Sequence, residues 1–209
     1  MQSPPPTCPC RRPRIDEGME ELTALLAHLT SGDEAQAQDA CLRLAEIGQA
    51  AAGPLKELAA NPNPDQRWWA LRALAEMPAV DVTPEMLRGL TDSDPAVRQC
   101  AALGLQHHPS ERVIPALISA MDDSDSLAAR LAANALAAAG PLAVPALLDV
   151  MQNGSSKASL EAARALALIG DTRAIPALFQ ALDGDSMLLE YWANEGLERM
   201  GVGMVFFKP

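Results

Sequence analysis

The stretch DPAVRQCAALGLQHHPSERVIPALISAMDDSD, residues 94–125, holds one full period of a pattern that fills the chain. It opens on Asp94-Pro95, runs through an alanine-rich segment and breaks at Pro109. It resumes at Ile114-Pro115-Ala116-Leu117 and reaches a second aspartate, Asp125, 31 positions after the first. An aspartate side chain accepts a hydrogen bond from a free N–H in the first turn of a helix, and proline at the first helical position has no N–H to leave unpaired. The period therefore predicts two helices and a turn, a longer helix B starting after Asp94 and a helix A around Pro115.

Working outward in both directions, the same unit recurs six times. Leu25, Leu55, Met86, Leu117, Leu147 and Leu178 are 30 or 31 residues apart, and Leu44, Leu74, Leu105, Leu136, Leu166 and Leu197 each follow one of them by 19. Asp33, Asn63, Asp94, Asp125, Ser155 and Ser186 stand at the start of helix B, every one a good N-cap. Paired, mostly small residues inside helix B, such as Ala101-Ala102 and Ala132-Ala133, let neighbouring backbones approach. Gly48, Pro78, Pro109, Gly140, Gly170 and Gly201 mark where each helix B stops. Prolines 84, 115, 145 and 176 open the A helices, with Pro54 displaced by one position and Thr23 in the first unit. A fixed period of this length predicts an all-α solenoid whose units share one continuous core.

Composition agrees and narrows the function. Apolar residues make up 49% of the chain and aromatics 3%, so the body has material for a core but few strand formers. Sixteen basic residues face 27 acidic ones, a net charge of −11, and Arg11, Arg12 and Arg14 lie in the tail. Such a field repels a phosphate backbone, which argues against nucleic acid and for a partner carrying a basic segment. The longest uncharged stretch, 131–148, contains Asn134, Gly140, Pro141 and Pro145 and is a poor membrane span. Four cysteines, Cys8, Cys10, Cys41 and Cys100, are too few and too scattered for a disulfide framework, and Met1–Pro13 has no apolar leader segment. A cytoplasmic protein is expected.

The Val144-Pro145-Ala146-Leu147 and Ile175-Pro176-Ala177-Leu178 openings, with Val97-Arg98-Gln99-Cys100-Ala101-Ala102 in a capped helix, resemble the short HEAT-like repeat of the subtype named after phycobilisome lyases. The resemblance covers residues 19–201 and implies a right-handed α-α superhelix of about six helical hairpins. It also implies a choice of functions: a binding scaffold, a phycobilin lyase or isomerase that attaches a chromophore, or an iron-dependent oxidoreductase. Iron-binding hydroxylases of this kind use His-Glu pairs, but none of His28, His107 and His108 is followed by Glu. The chain also departs from the family pattern in its arginine column, which reads Ala37, Arg67, Arg98, Ala129, Ser159 and Glu190, so an Asp–Arg ladder is available to the central repeats alone.

No nucleophile–base pair, metal-ligand spacing or phosphate loop stands out, so neither catalysis nor a cofactor is expected. Recognition is the better candidate. If the leucine column marks the buried side of helix B, the opposite side presents Trp69 and Arg72, then Cys100, Leu103 and His107, then Leu131 and Asn134, then Arg164, and finally Trp192 and Glu195. Helix B lines the inner, concave face of a solenoid, so these residues form a strip on which a protein or peptide docks. The alternative is that they pack between neighbouring helices. Residues 1–18 read as a disordered Pro/Arg-rich tail, and 202–209, with Val205, Phe206 and Phe207, as an apolar segment that caps the last repeat or docks elsewhere, a homodimer contact included.

Overall fold

The computed structural model describes the backbone of residues 15–202 and the side chains of residues 18–202. Both expected tails, apart from the first turn of helix α1 and Val202, lie outside that range. Within it the chain forms twelve α-helices paired into six hairpins, with no strand among the described residues. The pairs are α1 (Ile15–Leu29) with α2 (Glu34–Ile47), α3 (Gln49–Leu58) with α4 (Pro64–Ala75), and α5 (Thr83–Gly89) with α6 (Pro95–Leu105). The second half repeats this as α7 (Ile114–Ala120) with α8 (Ser126–Ala139), α9 (Val144–Asn153) with α10 (Ser156–Ile169), and α11 (Ile175–Ala181) with α12 (Met187–Arg199). Helix α1 begins ahead of the boundary at residue 19 that the repeat pattern marks.

Every even-numbered helix starts on its expected cap. The side chains of Asp33, Asn63, Asp94, Asp125, Ser155 and Ser186 accept hydrogen bonds from the N–H groups of Gln36, Asp65, Ala96, Ala128, Ala158 and Leu189. Each such cap stabilises its helix by about 1 kcal/mol. The helix ends divide into two kinds. Gly48, Gly140 and Gly170 end α2, α8 and α10 at φ of 65°, 61° and 69°, backbone that a side chain rarely adopts. Helices α4 and α6 stop earlier, at Ala75 and Leu105, ahead of Pro78 and Pro109 rather than at them. Proline pushes the residue before it out of helical geometry, and the last turn tightens instead, as in Met77 N–H to Leu74 O and His107 N–H to Gly104 O. Pro54 sits inside α3, which starts directly after Gly48 and so gains a turn ahead of the proline.

All twelve residues of the two leucine columns are at most 2% exposed and belong to one continuous core. The even helices pack intimately on one another, α4 on α6, α6 on α8, α8 on α10 and α10 on α12, whereas the odd helices meet their successors sparsely. A two-layer array bends toward its tighter layer, which puts the even helices on the concave side. Small residues permit this spacing. A Cβ added at Gly196 would lie 2.9 Å from Leu178 Cδ1 and 3.1 Å from the Ala167 Cα of α10.

Two bidentate ion pairs tie the central units together. Arg67 donates Nε and Nη2 to Asp92 at 2.7 and 2.6 Å, and Arg98 does the same to Asp123 at 2.6 and 2.8 Å. In each case Nη1 donates to two carbonyls of the arginine's own loop, Asn61 and Pro62 or Asp92 and Ser93. The ladder ends where the column turns to alanine at Ala129.

Gly196→Ala should destabilise the fold by about 1–3 kcal/mol despite alanine's better helix propensity, because the added methyl meets backbone that cannot yield; a thermal melt that rises instead would refute the close approach of α10 and α12. For the ladder, the Arg98 guanidinium holds the Asp123 carboxyl below its usual range. Its contribution is complete above the ordinary carboxylate pKa of about 4 and is lost as pH falls through the lowered value. Arg98→Ala should cost about 2–4 kcal/mol at pH 7 and flatten the loss of Tm on acidification below about pH 4, both read by thermal denaturation across pH.

Candidate binding face

The concave side is built from three recurring positions of the even helices, which lie five and two residues before the leucine column and two after it. The structure leaves most of the expected strip at the surface. Leu103 is 38% exposed and His107 is exposed, while Trp69, Arg72, Leu131, Asn134, Arg164, Trp192 and Glu195 are half-buried. Cys100 is the correction. It is 6% exposed, and its Sγ–H points to the Trp68 carbonyl 3.6 Å away, because α4 and α6 approach so closely that α4 covers this position.

Three clusters make up the strip. At its N-terminal end the Trp68 and Trp69 rings stack edge to face, with centroids 4.7 Å apart and planes at 90°. Arg72 lies one turn further along α4, beside Cys41 and Cys100, and its buried Nε finds no partner. The middle is nearly free of charge, with Leu103, Leu131 and Asn134, joined by Leu127 at 39% and Leu168 at 42% exposure. Leu127 was not among the expected site residues, although it lies one helical turn before Leu131 on the same face; it sits next to the cap, where sequence alone gives little sense of exposure.

At the C-terminal end Arg164 turns inward. Its Nε donates to Glu161 Oε2 at 2.9 Å, its Nη2 to the Arg130 carbonyl at 2.9 Å, and its guanidinium carbon lies 5.9 Å from the centre of the Trp192 ring. Glu195 accepts from Arg199 Nε at 2.8 Å. Beyond the expected strip, the last hairpin also exposes Met187, Leu188 and Tyr191, at 83%, 61% and 57%.

Among the described residues no three His, Cys, Asp or Glu side chains gather closely enough to hold a metal ion. His108 is occupied elsewhere, with Nε2 at 3.0 Å from the Ala75 carbonyl. Burial pushes the thiol of Cys41 up to about 11 and that of Cys100 up to about 12, against a smaller opposing effect of Arg72. Neither is a nucleophile near neutrality. No helix among the described residues is long and apolar enough to cross a membrane.

A profile of HEAT repeats matches residues 51–137 and 114–198, more than half of the chain. The protein belongs to the HEAT-repeat family. Among solved structures, its HEAT repeats are similar to an engineered protein at 26% identity, with a TM-score of 0.53 and coverage of 87% of this chain and 99% of the other. They are similar to the complex of CpcE and CpcF of phycocyanin lyase from Nostoc sp. PCC7120, at 21% identity and a TM-score of 0.53, covering 96% and 82%. A third likeness is to a designed armadillo repeat protein in complex with the peptide (KR)4, at 19% identity and a TM-score of 0.51, covering 86% and 99%. Comparison with curated proteins finds no match.

The two buried thiols give the face a chemical test. Iodoacetamide at pH 8 should leave Cys41 and Cys100 unmodified in the folded protein and alkylate both in denaturant, as read by peptide mass spectrometry. Rapid native labelling of Cys100 would mean that the α4–α6 contact opens and that the position belongs to the surface after all.

Proposed function

We propose that this HEAT-repeat protein is a non-catalytic scaffold that holds a partner protein or peptide segment along the concave face of its even helices. The observation that carries the reading is the uncharged middle of that face. Leu103, Leu127 and Leu168 remain exposed between Trp68–Trp69 at one end and Trp192 at the other. An apolar centre with aromatic anchors and charged flanks is the composition of a protein interface, in which a few desolvated residues supply most of the affinity. Rigidity helps, since a preformed groove loses little entropy on binding. The net charge of −11 favours a partner segment rich in Lys and Arg, and two buried free thiols suit a reducing cytoplasm.

Affinity capture from the source cells, followed by reconstitution with the purified partner, tests the reading. Leu103→Ser with Leu127→Ser should weaken the complex at least tenfold and leave the melting temperature within a few degrees, since both side chains are already partly in water. Recovery of nucleic acid alone, or an affinity indifferent to the two leucines, would refute it. The alternative of chromophore attachment, as by a phycobilin lyase, rests on likeness of fold alone, one structural neighbour being a complex of phycocyanin lyase. The same preparations address it: a visible absorption band on protein purified from a pigment-producing host would displace the scaffold reading.

A further inference from the structure

The strip carries a tryptophan at the same register position near each end, and the two are provided for differently. Trp192 in α12 has a cation of its own: Arg164, from the preceding unit, lies 5.9 Å from the ring centre and is held there by Glu161. The preceding unit offers Trp69 a different pair of side chains. Leu42 stands where Arg164 stands and Asp39 where Glu161 stands, so the carboxylate is kept and the cation is missing. Leu42 is 49% exposed.

Around Trp69 there is also room. A cavity of about 360 Å³ opens between the α1–α2 turn and the start of α4, walled by Leu29, Asn63, Trp68 and Trp69 and edged by Glu34 and Asp65. No basic residue lines it, and neither of its carboxylates takes part in an ion pair among the described residues. Its neighbours on the rim are neutral. An aromatic wall attracts a cation through the negative face of the ring, and two unpaired carboxylates at the mouth add to that attraction.

We infer that this cavity receives the cationic side chain of a Lys or Arg on the bound partner, seated against Trp68 and Trp69 beside Glu34 and Asp65; Asp39 and Leu42, the register equivalents of Glu161 and Arg164, lie outside its lining. The inference rests on the scaffold reading and assigns the end of the strip at which the partner's basic residue is seated. Arg is the better fit where the ring face is open, because its planar guanidinium stacks as well as pairing with a carboxylate.

The test is a titration of the full-length protein, 15N-labelled at tryptophan, with an octapeptide of alternating Lys and Arg and with a Gln–Ser octapeptide as control. The indole signals of Trp68 and Trp69 should shift with the basic peptide and not with the control, while that of Trp192 moves less. Glu34→Gln with Asp65→Asn should weaken binding about tenfold, and raising salt from 50 to 500 mM should weaken it for the parent more than for the variant. Unmoved Trp68 and Trp69 signals at millimolar peptide, or equal affinity in parent and variant, would overturn the cation site. That failure is separable from failure of the scaffold reading. A captured partner that depends on Leu103 and Leu127 but not on Glu34 and Asp65 leaves the scaffold standing without the cation site, and the opposite dependence leaves the cation site without the groove.

Discussion

Close approach between successive even helices is the constraint on which the rest of the molecule depends. It needs small residues wherever two backbones meet, and the chain supplies them at Ala101-Ala102, Ala132-Ala133 and Ala162-Ala163, all fully buried, and at Gly196 against Ala167. Alanine brings little apolar surface, so the large leucines must sit one step away, in the seam between the two helical layers, where twelve of them (counting Met86) are at most 2% exposed. At ~25 cal/mol per Å² that seam supplies most of the cohesion. The same spacing bends the array toward the even helices and gives the molecule a concave face to use.

The fold was legible because each of its signals is local chemistry repeated six times. A cap is legible as a cap at Asp94 and again at Ser186, since the requirement is a side-chain oxygen beside an unpaired N–H and nothing more. The leucine columns are equally plain, since burial at a fixed period needs no knowledge of the neighbouring unit. Departures appear where a second element decides the outcome. The helices before Pro78 and Pro109 end early because the proline acts backward along the chain, and Cys100 is buried because α4 lies closer to α6 than helical periodicity alone requires.

The candidate face was legible in position and less so in chemistry. Its register follows from the leucine column, and nine of the ten expected residues are wholly or partly at the surface. Charge was harder to read, because the destination of a long side chain is set by its partners. Arg164 belongs to the expected strip by sequence, yet Glu161 and the Arg130 carbonyl hold it against Trp192. Arg67 and Arg98 are likewise taken up by aspartates in the turn between the two helices of the next hairpin.

Spending arginines inside the array has a consequence for the surface. With these guanidiniums neutralised internally, carboxylates without such partners, Glu34 and Asp65 among them, set the outward field at the N-terminal end of the groove. The other end differs, since Trp192 is already covered by Arg164 and Arg199 is paired with Glu195. The two ends of the groove are therefore unlike: at one, Trp68 and Trp69 stand beside the carboxylates of Glu34 and Asp65 and one turn from Arg72, and at the other the charged side chains are paired within the array. On the scaffold reading, an apolar strip alone would accept a segment in either direction, and two unlike ends would favour one. On the same reading that asymmetry sets direction as well as affinity, because the pull of exposed carboxylates is screened within about 8–10 Å at physiological salt and so acts at one end of a bound segment alone.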